Sequence, residues 1–298
     1  MSFAEQGYEE MLLEEAADIA HVAQESRQAA EAGDAAAQLQ LARCYLTGSG
    51  VPQSTTQGIK WLRKSADQGF ADAQSYLAEC YYLGKGVQKD AVEACRWWVK
   101  AAAQNHMEAM YRLGMAHLSG EGVRQNDTLG LAWLQRTAAA GYPEALYSLG
   151  FCRLQGVGGV KNFGEAAVLF EKAAATGHAD ASFWLGFCKL HGVGTERKPA
   201  EAISILERAA DGLSAPAMVQ LGRCYEIGIA VKADAEKAFD WYWTGARMGS
   251  SEACYRLGLM LQEGRGCKPN RQKAAKWFKQ AAEKGHTRAQ HKLEEQNN

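Results

Sequence analysis

Apolar positions recur along this chain on one long period. Leu41, Leu77, Leu113, Leu149, Leu185, Leu221, Leu257 and Leu293 stand 36 residues apart, and an alanine precedes each by four residues, from Ala37 to Ala289. An apolar pair at i, i+4 lies on one face of a helix, so every copy is predicted to open with a helix that buries this stripe. The residue after each of the first seven leucines is alanine or glycine: Ala42, Ala78, Gly114, Gly150, Gly186, Gly222 and Gly258. A side chain that small lets a second helix backbone come close. The second helix is marked by adjacent bulky residues, Trp61-Leu62, Trp97-Trp98, Trp133-Leu134, Leu169-Phe170, Ile205-Leu206, Trp241-Tyr242 and Trp277-Phe278.

Polar and small residues punctuate the pattern. Gly48, Gly84, Gly120, Gly156, Gly192, Gly228 and Gly264 follow the first helix, where a left-handed glycine is the usual stop. Ser54, Asp90, Asn126, Asn162, Asp234 and Asn270 then share one position and are predicted to cap the second helix. Copy five has Lys198 there, followed by Pro199, which suits a first helical turn. Gln57, Glu93, Glu165 and Glu201 lie three residues further on, as a capping box would place them. Copy six is irregular, with Ala230 where a loop glycine is expected.

A hairpin of two such helices leaves apolar stripes bare unless copies stack, so the expected fold is an α-solenoid. Seven copies are predicted over residues 33–285, with an N-terminal capping helix in 1–32 and a C-terminal one in 286–298. Met1 to Gly7 is expected to be loose and Tyr8 to Ala32 helical, with Glu25 at the tryptophan position, as suits an outer cap.

The order A-x-x-x-L-G, G-x-G-V, K-A-x-x-W and K-A-A resembles the Sel1-like repeat, a relative of the tetratricopeptide repeat. Copies two and seven carry it most fully, with GKGV at Gly84 to Val87 and KAAKWFKQAA at Lys273 to Ala282. The resemblance implies an all-α, right-handed superhelix of antiparallel helix pairs that serves as a protein-binding scaffold.

Charge and composition narrow the partner. A net charge of −1 and a pI near 6.7 offer no basic field for nucleic acid or an anionic membrane. No apolar run approaches the length of a membrane span, so no membrane insertion is expected. The acidic start MSFAEQGYEEMLLEEAADIA lacks a secretory core, and a cytoplasmic location is expected.

Candidate chemistry is weak. Cys44, Cys80, Cys152, Cys188 and Cys224 share one repeat position and could suggest a metal ladder or disulfides. Equivalent atoms of successive copies should lie about 10 Å apart, beyond disulfide reach, and Ala116 and Met260 fill the same slot. These cysteines are expected to pack as small hydrophobes in a reducing compartment. His106, His178 and His286 share an inter-repeat turn position and are expected to pack there, not to bind metal. Gly-x-Gly turns such as Gly84-Lys85-Gly86 lie between helices and lack the strand a phosphate loop needs. No catalytic residue, cofactor or metal is expected.

What remains is surface. By analogy with tetratricopeptide packing, the first helices line a concave groove and residues two after each leucine face into it. Arg43, Glu79, Met115, Phe151, Phe187 and Arg223 are therefore candidate partner contacts. Tyr111, Tyr147, Phe183 and Tyr255, two before the leucine, join them, as does Trp184. Met115, Phe151 and Phe187 are expected to form an apolar anchor zone across copies three to five, flanked by Arg43, Glu79 and Arg223. Phe151 and Phe187 serve equally well for packing repeat on repeat, and that alternative stands beside the first. The expected function is a non-catalytic scaffold or adaptor that holds a partner protein or peptide. The alternative is an inhibitor or immunity protein that sheathes a toxin or enzyme.

Overall fold

The computed structural model describes residue 24 and residues 26–297. The expectations for Met1 to Gly7, for Glu25 and for most of the first capping helix lie outside the described residues; residues 26–31 are helical. Every regular element among the described residues is a helix. The first helices of the seven copies are α1 (Ala35–Thr47), α3 (Ala71–Leu83), α5 (Met107–Ser119), α7 (Pro143–Gln155), α9 (Ala179–His191), α11 (Ala215–Ile227) and α13 (Ser251–Glu263). The second helices are α2 (Thr55–Asp67), α4 (Ala91–Ala102), α6 (Asp127–Ala139), α8 (Phe163–Ala175), α10 (Pro199–Asp211), α12 (Ala235–Arg247) and α14 (Arg271–Glu283). A final helix, α15 (Thr287–Asn297), follows. The chain forms two compact units that divide between Thr137 and Ala138, within α6.

Each hairpin closes in the same way. Glycine at the end of the first helix takes the left-handed conformation, as at Gly84 (φ 72°) and Gly264 (φ 73°), and donates its N–H to the carbonyl four residues back. Cap side chains then accept from the third residue of the second helix at Ser54, Asp90, Asn126, Asn162, Asp234 and Asn270. The backbone N–H of the cap residue crosses back to the first helix. Ser54 donates to the Tyr45 carbonyl, Lys198 to Lys189 and Asn270 to Leu261, each nine residues earlier, at 2.7–2.8 Å. This bond corrects the capping-box expectation. The N–H such a box would satisfy is already taken, so the glutamates turn elsewhere: Glu93 to Arg96, Glu165 to Arg153 and Glu201 to Lys189.

The repeating leucines from Leu41 to Leu257 and the alanines from Ala73 to Ala289 are buried, while Leu293 on α15 is only partly covered. The second bulky residue of each pair (Leu62, Trp98, Leu134, Phe170, Leu206, Tyr242, Phe278) is also buried. Burial of such a side chain stabilises by roughly 1.5–3 kcal/mol. The small residue after the leucine makes room for it: a Cβ on Gly222 would stand 2.5 Å from the Tyr242 ring, and one on Gly258 2.5 Å from Phe278. Loop glycines seat hairpin on hairpin in the same manner, since a Cβ on Gly194 would lie 2.0 Å from the Phe163 carbonyl. Copy six keeps the irregularity expected there, with Ala230 forced to φ 63°.

The turn histidines do more than pack. Nδ1 of His106, His178 and His286 accepts a backbone N–H from Ala109, Ala181 and Ala289, each at 3.2 Å, so histidine caps the first helix of the next copy. The ring proton therefore sits on Nε2, which meets Asp72 from His106 (3.2 Å) and Glu252 from His286 (2.9 Å).

Candidate functional site

In the second unit, Tyr147, Phe151, Phe183, Trp184 and Phe187 come together on α7 and α9, each half-buried. Trp184 is the hub. Its ring stacks on buried Phe170 of α8 (centroids 5.9 Å, 19° between planes). It meets Phe151 at 5.7 Å, Phe183 at 5.3 Å and Phe187 at 5.7 Å. Tyr147 stacks on His178 (4.7 Å) and touches Phe151 (6.4 Å), while Phe187 carries the cluster on to His191 (4.5 Å). Burial and the positive charges of Arg223 and Arg197 hold the His191 pKa below its ordinary value. Arg223 itself is exposed. Phe151 and Phe187 thus pack on Trp184 and still present part of each ring to solvent.

Further along the same unit, equivalent positions carry charge. Glu226 accepts from the Tyr242 hydroxyl at 2.6 Å and from Arg265 at 2.5 Å, with Arg256 3.5 Å away. Arg256 also bonds Glu252 (2.7 Å), which pairs with His286, and the Tyr255 ring stacks on His286 at 4.5 Å. Burial works to raise the Glu226 pKa, but the bonds from Tyr242 and Arg265 and the two guanidinium charges outweigh it and hold the carboxyl low. Glu252 is held low in the same way, by His286 and Arg256 against burial. Burial first, and the bond to Glu226 second, push the Tyr242 phenol up. Tyr255, a groove candidate, is buried here between Phe278 and His286. Sequence reading placed Tyr242 among the bulky second-helix residues but missed the network, because each charged member taken singly looks like an ordinary surface charge.

In the first unit, Arg43 and Glu79 line an open cleft of about 540 Å³ together with Asp72, Tyr76, His106 and Glu108. The Arg43 guanidinium lies over the Tyr76 ring at 6.0 Å. Met115, 38% exposed, lines a smaller hollow of about 150 Å³ floored by Tyr82 and Trp98 and walled by Arg112 and Glu121. Tyr111 is half-buried. Of the expected anchor zone, the structure therefore joins Phe151 and Phe187 through Trp184, whereas Met115 belongs to the first unit and its own hollow.

Cys44, Cys80, Cys152, Cys188 and Cys224 are buried free thiols, with burial pushing Cys80 and Cys188 up to about 11. A thiol so raised stays protonated and is a poor nucleophile or metal ligand. Among the described residues no cluster of three or more His, Cys, Asp or Glu could hold a metal ion, and no helix is long and apolar enough to cross a membrane.

Comparison with known proteins agrees with this geometry. The Sel1 repeat family model matches seven times, at residues 35–70, 71–106, 108–142, 143–178, 179–212, 215–250 and 251–286. No curated protein matches the chain. Among solved structures, it is similar to c5321, a protective antigen of uropathogenic Escherichia coli strains displaying an SLR fold: 29% identity, TM-score 0.77, over 91% of this chain and 58% of that one. The chain thus spans a little over half the length of that protein. A Sel1 repeat protein from Oxalobacter formigenes is 30% identical, TM-score 0.73, over 92% of this chain and 79% of that one. Immunity protein Pa5087 from Pseudomonas aeruginosa shares the fold at 19% identity, TM-score 0.50, over 72% of this chain and 81% of that one. With its repeats matched from residue 35 to residue 286, the chain belongs to the Sel1 repeat family.

Proposed function

We propose that this protein is a non-catalytic scaffold or adaptor of the cytoplasm that holds a partner protein or peptide in the groove lined by its first helices. Sel1 repeat proteins are in general protein-interaction scaffolds, which supports the class. The observation that carries the reading is the aromatic cluster on α7 and α9. Five large rings are fixed by mutual packing yet remain partly open to water, and rigid aromatic side chains are the commonest interface anchors. Eight free cysteines are in keeping with a reducing compartment.

An inhibitor that sheathes a toxin or enzyme is the second reading. Its support is the fold shared with the Pseudomonas aeruginosa immunity protein, and at 19% identity that likeness extends to fold alone.

The test is a double change, Phe151→Ala with Phe187→Ala, followed by circular dichroism and affinity capture from native lysate beside the parent. The expected result is a folded protein that no longer captures its partner. Undiminished capture, or loss of the fold, would remove the cluster from the binding face. One stable enzyme held at nanomolar affinity would favour the inhibitor.

A further inference from the structure

The hollow between copies two and three has an internal counterpart that shows what fits it. In the 36-residue register Trp98, on its floor, corresponds to Phe170, and Met115 on its rim to Phe187. Arg112 corresponds to Trp184, the indole that lies flat on Phe170. Between copies four and five the space over the buried ring is filled. Between copies two and three a hollow remains, where the Arg112 guanidinium turns back one helical turn to Glu108 (3.4 Å), with Trp98 at its base only 2% exposed. Trp98 and Tyr82 (5.5 Å apart) remain as an aromatic floor, with Tyr82 steadied by its bond to Glu121 (2.9 Å).

A void of about 150 Å³ is the size of an engineered cavity that admits one benzene ring. The hollow meets the larger cleft at the Glu108–Arg112 pair on α5. That cleft holds three carboxylates, Asp72, Glu79 and Glu108, against Arg43 and His106. Asp72 is paired with His106 and Glu108 with Arg112, while Glu79 makes no ion pair among the described residues. Three carboxylates thus stand against two guanidinium groups, Arg43 and Arg112, with His106 uncharged while its Nδ1 accepts from Ala109, so the surplus is one negative charge and calls for a cation.

We infer that this place is an anchor pocket for one aromatic side chain of a partner peptide, the ring seated between Tyr82 and Met115 in the place that Trp184 takes between copies four and five. Glu79 stands one helical turn before Tyr82 on α3, so a lysine or arginine a few residues along an extended peptide from the aromatic one reaches it. The inference rests on the scaffold reading above and adds the chemistry of the partner.

The probe is the synthetic peptide acetyl-Gly-Trp-Ser-Gly-Lys-Gly-amide, with versions in which Trp becomes Ala or Lys becomes Glu. The reporter is the Met115 methyl resonance of the full chain labelled at methionine methyls, assigned by Met115→Leu. The Trp peptide is expected to shift this signal saturably with a Kd near the millimolar range. The Ala version should leave it in place, and the Glu version should bind at least about 5-fold more weakly. Arg112→Trp, which supplies the indole from within, should move the signal in the free protein and abolish the response with circular dichroism unchanged. The inference is overturned if the Trp peptide leaves Met115 unmoved to about 5 mM, if the Ala version acts equally, or if the response of Arg112→Trp equals that of the parent. Should Met115 stay unmoved while Phe151→Ala with Phe187→Ala loses a captured partner, the pocket falls and the scaffold reading stands.

Discussion

Two places in the second unit answer one architectural problem with opposite chemistry. Where copy five meets copy four, the register puts Leu154, Phe170, Trp184 and Val193 together, and the contact is apolar and aromatic. Where copy seven meets copy six, the same positions carry Glu226, Tyr242, Arg256 and Arg265, joined by hydrogen bonds and ion pairs. Backbone geometry around the two is alike, down to the tyrosine stacked on a turn histidine (Tyr147 on His178, Tyr255 on His286). The leucine–alanine stripe thus builds the frame, and a handful of positions on the first-helix face stay free to take whatever chemistry a copy needs. An aromatic filling leaves ring edges for a partner, whereas an ion network satisfies itself.

The largest effect should come from breaking the network on one side. Glu226→Ala leaves the buried Tyr242 hydroxyl without its acceptor and takes one of two carboxylates from both Arg256, which keeps Glu252, and Arg265, which keeps Glu263; it is expected to cost about 3 kcal/mol in urea unfolding. Trp184→Ala removes the hub of the aromatic contact and should cost about 2 kcal/mol, less than a fully buried ring because Trp184 is partly exposed. Acid should separate the two places. The folded pKa of Glu226 and Glu252 lies below the ordinary 4.5, so their contribution is complete above that value and is lost as the pH falls through the lowered one. Hydrogen exchange below about pH 4.5 is expected to rise first in α11 and α13, with α7 and α9 protected longer. Uniform loss along the unit would contradict the contrast. Ala230→Gly, which relieves a left-handed alanine, should stabilise by about 1 kcal/mol, seen as a small rise in Tm.

How much of this could be read beforehand follows from where each signal resides. Leu41 to Leu257, the glycine stops and the Ser, Asp and Asn caps announce themselves because each acts within one helix turn and recurs in register, the caps in every copy but the fifth. The capping box was misread, since nothing local reveals that the cap N–H is spent on a carbonyl nine residues back. His106 as a cap was missed because histidine is seldom a helix cap, and its role appears only once Nδ1 is seen over the Ala109 N–H. The Glu226 network joins residues up to 39 positions apart, and no period in the sequence marks them. Met115 illustrates the reverse. Its slot was legible, but the floor beneath it, Trp98 and Tyr82, comes from the preceding copy.

The claim that the frame and its filling are separable is tested most directly by transplanting one filling onto the other. Glu226→Leu, Tyr242→Phe, Arg256→Trp and Arg265→Val together write the contact between copies four and five into copies six and seven. Urea unfolding should then give a stability within about 1 kcal/mol of the parent, with the same dependence on urea, because a buried ion network and a well-packed apolar cluster of similar size are nearly equivalent. A loss of more than about 3 kcal/mol, or a changed urea dependence, would mean that the network is part of the frame itself and that the two places are not versions of one site.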